Sequence, residues 1–300
     1  KGPGWRRHVP PALLLLAIGC GLVATARPMA VITLPLQQRT IILAMDVSGS
    51  MRAADVQPTR LIAAQEAAKA FVRKLPREVR VGVVAFAGTA ALVQAPTTSR
   101  EDIVAAIDRF QLQRATATGS GILVSLATLF PDDGIEIEEA TGQRRMPAPL
   151  DPARQKERER KASFQPVPPG SYTSAAIIML TDGQRTTGPD PIEAAKMAAD
   201  RGVRVYTVGI GTVQGDTIGF EGWSMRVRLD EATLKNIAVL TQAEYFYAGS
   251  AEDLMKVYES LSAKLVVERK ETEITAFFAA AGALLALLGA GLSVWWFGRV

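Results

Sequence analysis

Residues 41–51 read Ile41-Ile42-Leu43-Ala44-Met45-Asp46-Val47-Ser48-Gly49-Ser50-Met51. The first five form a short apolar run of the kind that makes a fully buried strand. Asp46, Ser48 and Ser50 follow at alternate positions, and Gly49 between the serines permits a tight bend. On such a turn every second side chain aims at one point. Oxygen donors gathered at the end of a buried strand point to an α/β sheet, in which loops at the carboxyl ends of parallel strands meet at a switch point.

Outward from this stretch the apolar pattern alternates between two periods. Leu61, Ala64, Ala68, Phe71, Val72 and Leu75 mark one face of a helix over 58–75. Val79–Phe86 reads as a strand, and Gly88 turns it into an edge strand at Ala91–Gln94. Helical periodicity covers 100–110 and 120–130, and Ala175–Leu180 is another buried strand. A helix at 192–201, a strand at 203–208, a helix at 231–240, a strand at 244–247 and a helix at 251–266 complete the series. Strands alternating with helices predict a doubly wound, mostly parallel sheet covered on both faces. The domain runs from about Arg39 to Val267, long enough to bury a substantial core.

Pro131–Gly170 breaks the pattern. It holds seven of the 17 prolines, an acidic run from Asp132 to Glu139 and a mixed-charge run from Arg154 to Lys161. Low hydrophobicity and many prolines predict a mobile surface insertion, with the 154–161 run a solvated face.

Two more donor segments accompany the opening stretch. Thr116-Ala117-Thr118-Gly119-Ser120-Gly121 leads into the 120–130 helix, and Thr181-Asp182-Gly183 follows the 175–180 strand. The convergent groups are two carboxylates and several hydroxyls, without thiol or imidazole. Hard oxygen donors of low charge suit Mg²⁺, Mn²⁺ or Ca²⁺, and Mg²⁺ keeps waters that leave a coordination position open. Asp-x-Ser-x-Ser alone arises by chance in roughly one chain in ten of this length. Three such segments in order, each after a strand or before a helix, are far more specific.

Composition removes the competing chemistries. The single His is His8 and the single Cys is Cys20, which excludes a Ser-His-Asp triad, a disulfide framework and a His- or Cys-based zinc site in the domain. A net charge of +4 spread over 300 residues is no basic stripe, so nucleic acid is not expected as a partner. Neither a Gly-x-x-x-x-Gly-Lys phosphate loop nor a Gly-x-Ser-x-Gly elbow occurs.

The ends differ from the middle. Residues 9–26 are uncharged over 18 positions and residues 274–298 over 25, the latter ending in Trp295-Trp296-Phe297. Both read as membrane helices flanking the domain, about 20 apolar residues being needed to span. The first run, after Arg6 and Arg7, also has the features of a signal peptide, and Cys20 those of a lipid attachment site. Arg6 and Arg7 against Arg27 alone favour a cytoplasmic N-terminal side, which places the domain on the periplasmic or outer face of a plasma membrane.

The order Asp46-x-Ser48-x-Ser50, then a Thr, then Asp182 resembles the metal-ion-dependent adhesion site (MIDAS) of von Willebrand factor A domains, over about residues 39–267. The resemblance implies that Ser48, Ser50 and Thr116 coordinate the metal. It also implies that Asp46 and Asp182 do so directly or through water, and that a partner protein supplies a carboxylate to the open position. Thr116 is preferred to Thr118 because it lies six residues before Ile122, as in related loops. Leu229–Ala238 ahead of Tyr245-Phe246-Tyr247, with Met51–Val56, Pro96–Glu101 and Thr116–Gly119, resembles membrane-anchored bacterial proteins of the aerotolerance (Bat) type, in their actinobacterial branch. That likeness implies sister A-domain membrane proteins and a MoxR-type AAA+ ATPase as partners, and a further membrane helix upstream of Lys1. The expected function is therefore a metal-dependent, non-enzymatic binding module in envelope protein assembly, maturation or stress tolerance. A metal-assisted hydrolase would need a general base, which the donor set does not supply. A structural membrane subunit with an empty site is the remaining alternative.

Overall fold

The computed structural model describes residues 4–27, 29–35, 40–133, 135, 165–212, 214–220, 223–273 and 275–297. Along the chain run α1 (Val9–Thr25), β1 (Met29–Pro35), β2 (Thr40–Asp46), α2 (Arg60–Lys74), β3 (Arg80–Phe86) and β4 (Ala90–Thr97). Next come α3 (Arg100–Asp108), α4 (Thr118–Leu129), β5 (Ala175–Thr181), α5 (Pro191–Asp200), β6 (Arg204–Ile210), β7 (Asp216–Phe220) and β8 (Trp223–Val227). The last elements are α6 (Glu231–Leu240), β9 (Tyr245–Ala248), α7 (Ala251–Val266), β10 (Val267–Glu273) and α8 (Thr275–Phe297). They divide into two compact units, Lys1–Pro35 with Val267–Val300, and Leu36–Val266.

The larger unit is built on a six-stranded sheet of order β4-β3-β2-β5-β6-β9. Every pairing is parallel except β3 with β4, so Gly88 does turn the chain into an antiparallel edge strand. β2 lies at the centre, between β3 and β5, and the order of strands reverses there. The carboxyl ends of β2 and β5 consequently flank the switch point.

Both faces of β2 are covered, which is why its sequence is apolar without alternation. Ile41, Leu43 and Met45 pack with Phe71 of α2, Ile103 of α3 and Leu254 of α7. Ile42 and Ala44 pack with Ile122 of α4, Ala195 of α5 and Leu234 of α6. Helix starts are capped from within: Thr59, Ser99, Asp190 and Asp230 each accept a backbone N–H of the first turn. Two elements of the larger unit were not legible in its pattern. β7 and β8 form a separate antiparallel hairpin of mixed polarity, with Phe220 paired to Trp223. Most of the 131–170 insertion expected from composition lies outside the described residues.

In the smaller unit β1 and β10 pair antiparallel, Met29 opposite Glu273 and Pro35 opposite Val267. Helices α1 and α8 pack side by side through small residues. A Cβ on Gly282 would meet Ala17 O at 3.2 Å, and one on Gly289 would meet Pro10 O and Leu13 Cβ at 3.3 Å. The rings of Trp5 and Trp296 meet edge to face at 6.1 Å. Among the described residues, Thr275–Trp296 is the one helix long and apolar enough to cross a membrane. The first span, expected over 9–26, is a helix of 17 residues at Val9–Thr25. At 1.5 Å per residue it measures about 25 Å, short of a hydrocarbon layer of roughly 30 Å.

Candidate metal centre

β2 delivers Asp46 to the edge of the switch point, and the chain turns at once. The Ser48 N–H donates to Asp46 Oδ1 at 2.8 Å, closing the turn, and Gly49–Arg52 continues as a 3₁₀ helix. The turn is stitched to its neighbours: Val47 N–H donates to Phe86 O at 2.9 Å, and Gln113 N–H donates to Val47 O at 2.8 Å. The Ser48 and Ser50 hydroxyls lie 2.9 Å apart. From the end of β5, the Thr181 hydroxyl donates to Asp46 Oδ2. Next in the chain, Asp182 accepts Gln184 N–H at Oδ1 at 3.2 Å.

Asp46, Ser48, Ser50 and Asp182 are all buried, and the Thr181 hydroxyl ties the strand end that carries Asp182 to Asp46. Thr116 is also buried and sits in the adjoining loop. Its N–H donates to the Thr186 hydroxyl at 2.8 Å and its carbonyl accepts Thr186 N–H at 2.9 Å, which clasps its loop to the one carrying Asp182. Thr118 opens α4, and its hydroxyl, like that of Ser120, is buried without a hydrogen-bond partner.

Burial is the main cause that pushes the Asp46 carboxyl up to about 7, and the nearby Asp182 charge adds to it. Hydrogen bonds from Ser48 and Thr181 pull the other way. Asp182 is also raised by burial, against Ser50 and Arg60. Two carboxylates desolvated together disfavour their own charged forms, and a cation between them would offset that cost.

Two residues of this region carry no signal in the sequence pattern. Arg60, first in α2, is fully buried and donates from Nη1 to Asp182 Oδ2 at 3.2 Å. Its Nε and Nη2 each reach Asp55 at 2.7 Å. Burial tends to raise Asp55, but its hydrogen bonds with Arg60 and Thr212 outweigh it and hold the carboxyl at about 2. A charged residue beside a helix start ordinarily reads as solvated, so only the partners across the fold reveal this pair.

The donor set fits a hard divalent cation. Asp46 and Asp182 would supply carboxylates and Ser48 and Ser50 hydroxyls, with buried Thr116 in the adjoining loop the further hydroxyl candidate. Among the described residues no three His, Cys, Asp or Glu side chains cluster, so a metal here depends on the hydroxyls.

Known proteins share this fold. Residues 41–184 and 139–259 each match a von Willebrand factor type A domain model. A UPF0353 protein of Nocardia farcinica is 34% identical over 281 residues, covering 89% of this chain and 75% of its own length. An aerotolerance-related membrane protein from Bacteroides fragilis superposes with a TM-score of 0.55 at 22% identity, over 75% of this chain and 99% of that one. Proximal thread matrix protein 1 of the mussel byssus, solved with zinc in its MIDAS motif, gives a TM-score of 0.51 at 20% identity, over 80% of this chain and 49% of that one. The chain belongs to the UPF0353 family of von Willebrand factor type A domain proteins.

Proposed function

We propose that this protein is a membrane-anchored, divalent-metal-dependent protein-binding module. Asp46, Ser48, Ser50, Thr116 and Asp182 hold Mg²⁺ or Mn²⁺, with Ca²⁺ an alternative occupant, and the open coordination position takes a carboxylate from a partner protein. The observation that carries this reading is the convergence of two carboxylates and two serine hydroxyls, all buried, at the carboxyl ends of β2 and β5. The zinc in the MIDAS motif of the mussel protein supports a divalent ion on this fold.

Binding rather than hydrolysis follows from the chemistry of the donors. A carboxylate committed to a cation is a poor general base, and the chain's one imidazole, His8, precedes α1. Helix α8 anchors the chain in a membrane, the shorter apolar α1 packs beside it, and the A domain faces the periplasm or outer surface. Partners on this reading are sister A-domain membrane proteins and a MoxR-type AAA+ ATPase, acting together in envelope assembly, maturation or stress tolerance. The test is a pull-down from native membranes with and without chelator, using wild-type and Ser50→Ala bait. A partner lost under chelation and with Ser50→Ala supports the function. A partner held equally on both baits, with and without chelator, overturns it.

A further inference from the structure

Arg60 stands where a cation is least expected. It is the first residue of α2, where the helix's own amide dipoles favour anions, and its side chain has no exposure. A buried guanidinium persists only when its charge and its donors are matched. Nε and Nη2 are committed to Asp55, which leaves Nη1 to reach Asp182 Oδ2.

The guanidinium is fixed from further segments. Asp55 Oδ2 also accepts the Thr212 N–H at 2.9 Å and the Thr212 hydroxyl at 3.0 Å, tying the approach to α2 to the chain just past β6. Gly211 has φ +122°, and a Cβ there would lie 2.6 Å from Arg60 Cζ. That space at the end of β6 is open to the guanidinium because residue 211 is glycine.

We infer that Arg60 is a positioning residue for the metal centre: it holds one oxygen of Asp182 away from the cation and lowers the negative charge the site presents. This rests on the metal-binding reading above. A cation that faces one unopposed carboxylate, Asp46, keeps more of its own charge for the carboxylate of an incoming partner. Arg60 thus trades metal affinity for partner affinity. A guanidinium that merely braced the fold would have the opposite effect on metal, because its removal would loosen the donors and weaken binding.

The sign of the change is the test. The full chain in detergent is titrated with Mg²⁺ by calorimetry as wild type, Arg60→Met and Asp55→Asn, with metal-free far-UV dichroism as the check of fold. Arg60→Met is expected to bind Mg²⁺ roughly tenfold more tightly, since a positive charge beside the cation has gone. Asp55→Asn is expected to bind about threefold more weakly, since the guanidinium is then left wholly to Asp182. In the Mn²⁺ form, electron–nuclear double resonance should count fewer coordinated waters in Arg60→Met than in wild type, as the freed Asp182 oxygen joins the metal. Folded Arg60→Met that binds no more tightly than wild type overturns the inference. If Arg60→Met does not fold, Asp55→Asn binding unchanged or tighter overturns it. Wild type that takes up no metal removes the proposed function itself, an outcome distinct from both.

Discussion

The hydroxyls of Ser48 and Ser50 stand 2.9 Å apart, both buried, on the turn that begins at Asp46. At that separation they hydrogen-bond to each other, and both can turn their lone pairs to a single cation instead. The turn is held by Ser48 N–H on Asp46 and by Gln113 N–H on Val47, contacts within the protein itself.

From this arrangement, Asp46→Ala should lower Mg²⁺ and Mn²⁺ affinity by roughly a hundredfold or more while leaving the metal-free fold intact. Removing one of two crowded buried carboxylates relieves repulsion but leaves Ser48 N–H and the Thr181 hydroxyl without their acceptor, so the fold should persist with a loss of metal-free stability of about 1–3 kcal/mol. Calorimetry and thermal melting of the full chain check both statements. Wild type that gives neither heat nor a melting shift with either ion would sink the prediction.

Metal binding should also depend on pH with a definite sign. The Asp46 carboxyl is raised from 3.8 to about 7, so the metal-free folded chain holds a proton that the unfolded chain has released between those values. Its contribution to metal-free stability is fully present below the unfolded value and is lost as pH rises through about 7. Protons and metal compete for the same carboxylate, so the Mg²⁺-induced melting shift should be large near pH 8 and small near pH 5. Asp46→Asn supplies the baseline for other titrating groups. Equal Mg²⁺ shifts at both pH values in wild type would contradict this account.

A partner that completes the coordination shell should be lost in two independent ways. Ser50→Ala removes a hydroxyl donor without altering net charge, and EDTA removes the cation, and both should weaken the same complex at least tenfold. Surface-captured full chain titrated with the purified partner gives the two dissociation constants. Loss under EDTA with full retention on Ser50→Ala would place the metal dependence elsewhere in the complex.

The helix pair of the smaller unit predicts a crosslink. A Cβ at position 282 would lie 3.4 Å from Cys20 Cβ, close to the spacing of about 3.5–4.5 Å that a disulfide requires. Gly282→Cys should therefore form an intramolecular disulfide with Cys20 under mild oxidation. Cys20 is the one cysteine in these 300 residues, so a disulfide within them has a single assignment. Proteolysis within the A domain should leave the two end fragments joined until reductant is added. Fragments that separate without reductant would show that α1 and α8 do not pack in this register.

Orientation is open to direct labelling. Val239 on α6 is 69% exposed, so Val239→Cys in a Cys20→Ser background offers one accessible thiol. A membrane-impermeant maleimide should label it in intact cells if the A domain faces outward. Labelling that requires lysis would put the domain in the cytoplasm.

Local pattern carried most of the larger unit because its elements bury strong, regular faces. Ile41–Met45 is apolar throughout since helices cover both sides of the central strand, and α6 and α7 occupy the ranges their periodicity marks, 231–240 and 251–266. The ribbon of β1 with β10 is not legible in local pattern for the converse reason. Val-Glu-Arg-Lys-Glu-Thr-Glu over 267–273 has no period-two apolar signal, and its strand form is set by a partner more than 200 residues earlier. The β7–β8 hairpin is hidden in the same way, with Gly219 interrupting an already mixed strand.

The metal centre divides along the same line. Asp46, Ser48 and Ser50 belong to one turn, so their spacing alone brings them together. Asp182 could be placed beside them from sequence because the carboxyl ends of neighbouring parallel strands must meet. Arg60 could not, because residue type argues for exposure and nothing within a few positions contradicts it. Its burial follows from Asp182, 122 residues on, and from the room left by Gly211, contacts that exist only after the sheet has closed. Short-range spacing specifies which donors can share a turn, whereas the match of a buried charge to its counter-charges is a long-range electrostatic condition that the folded chain alone can meet.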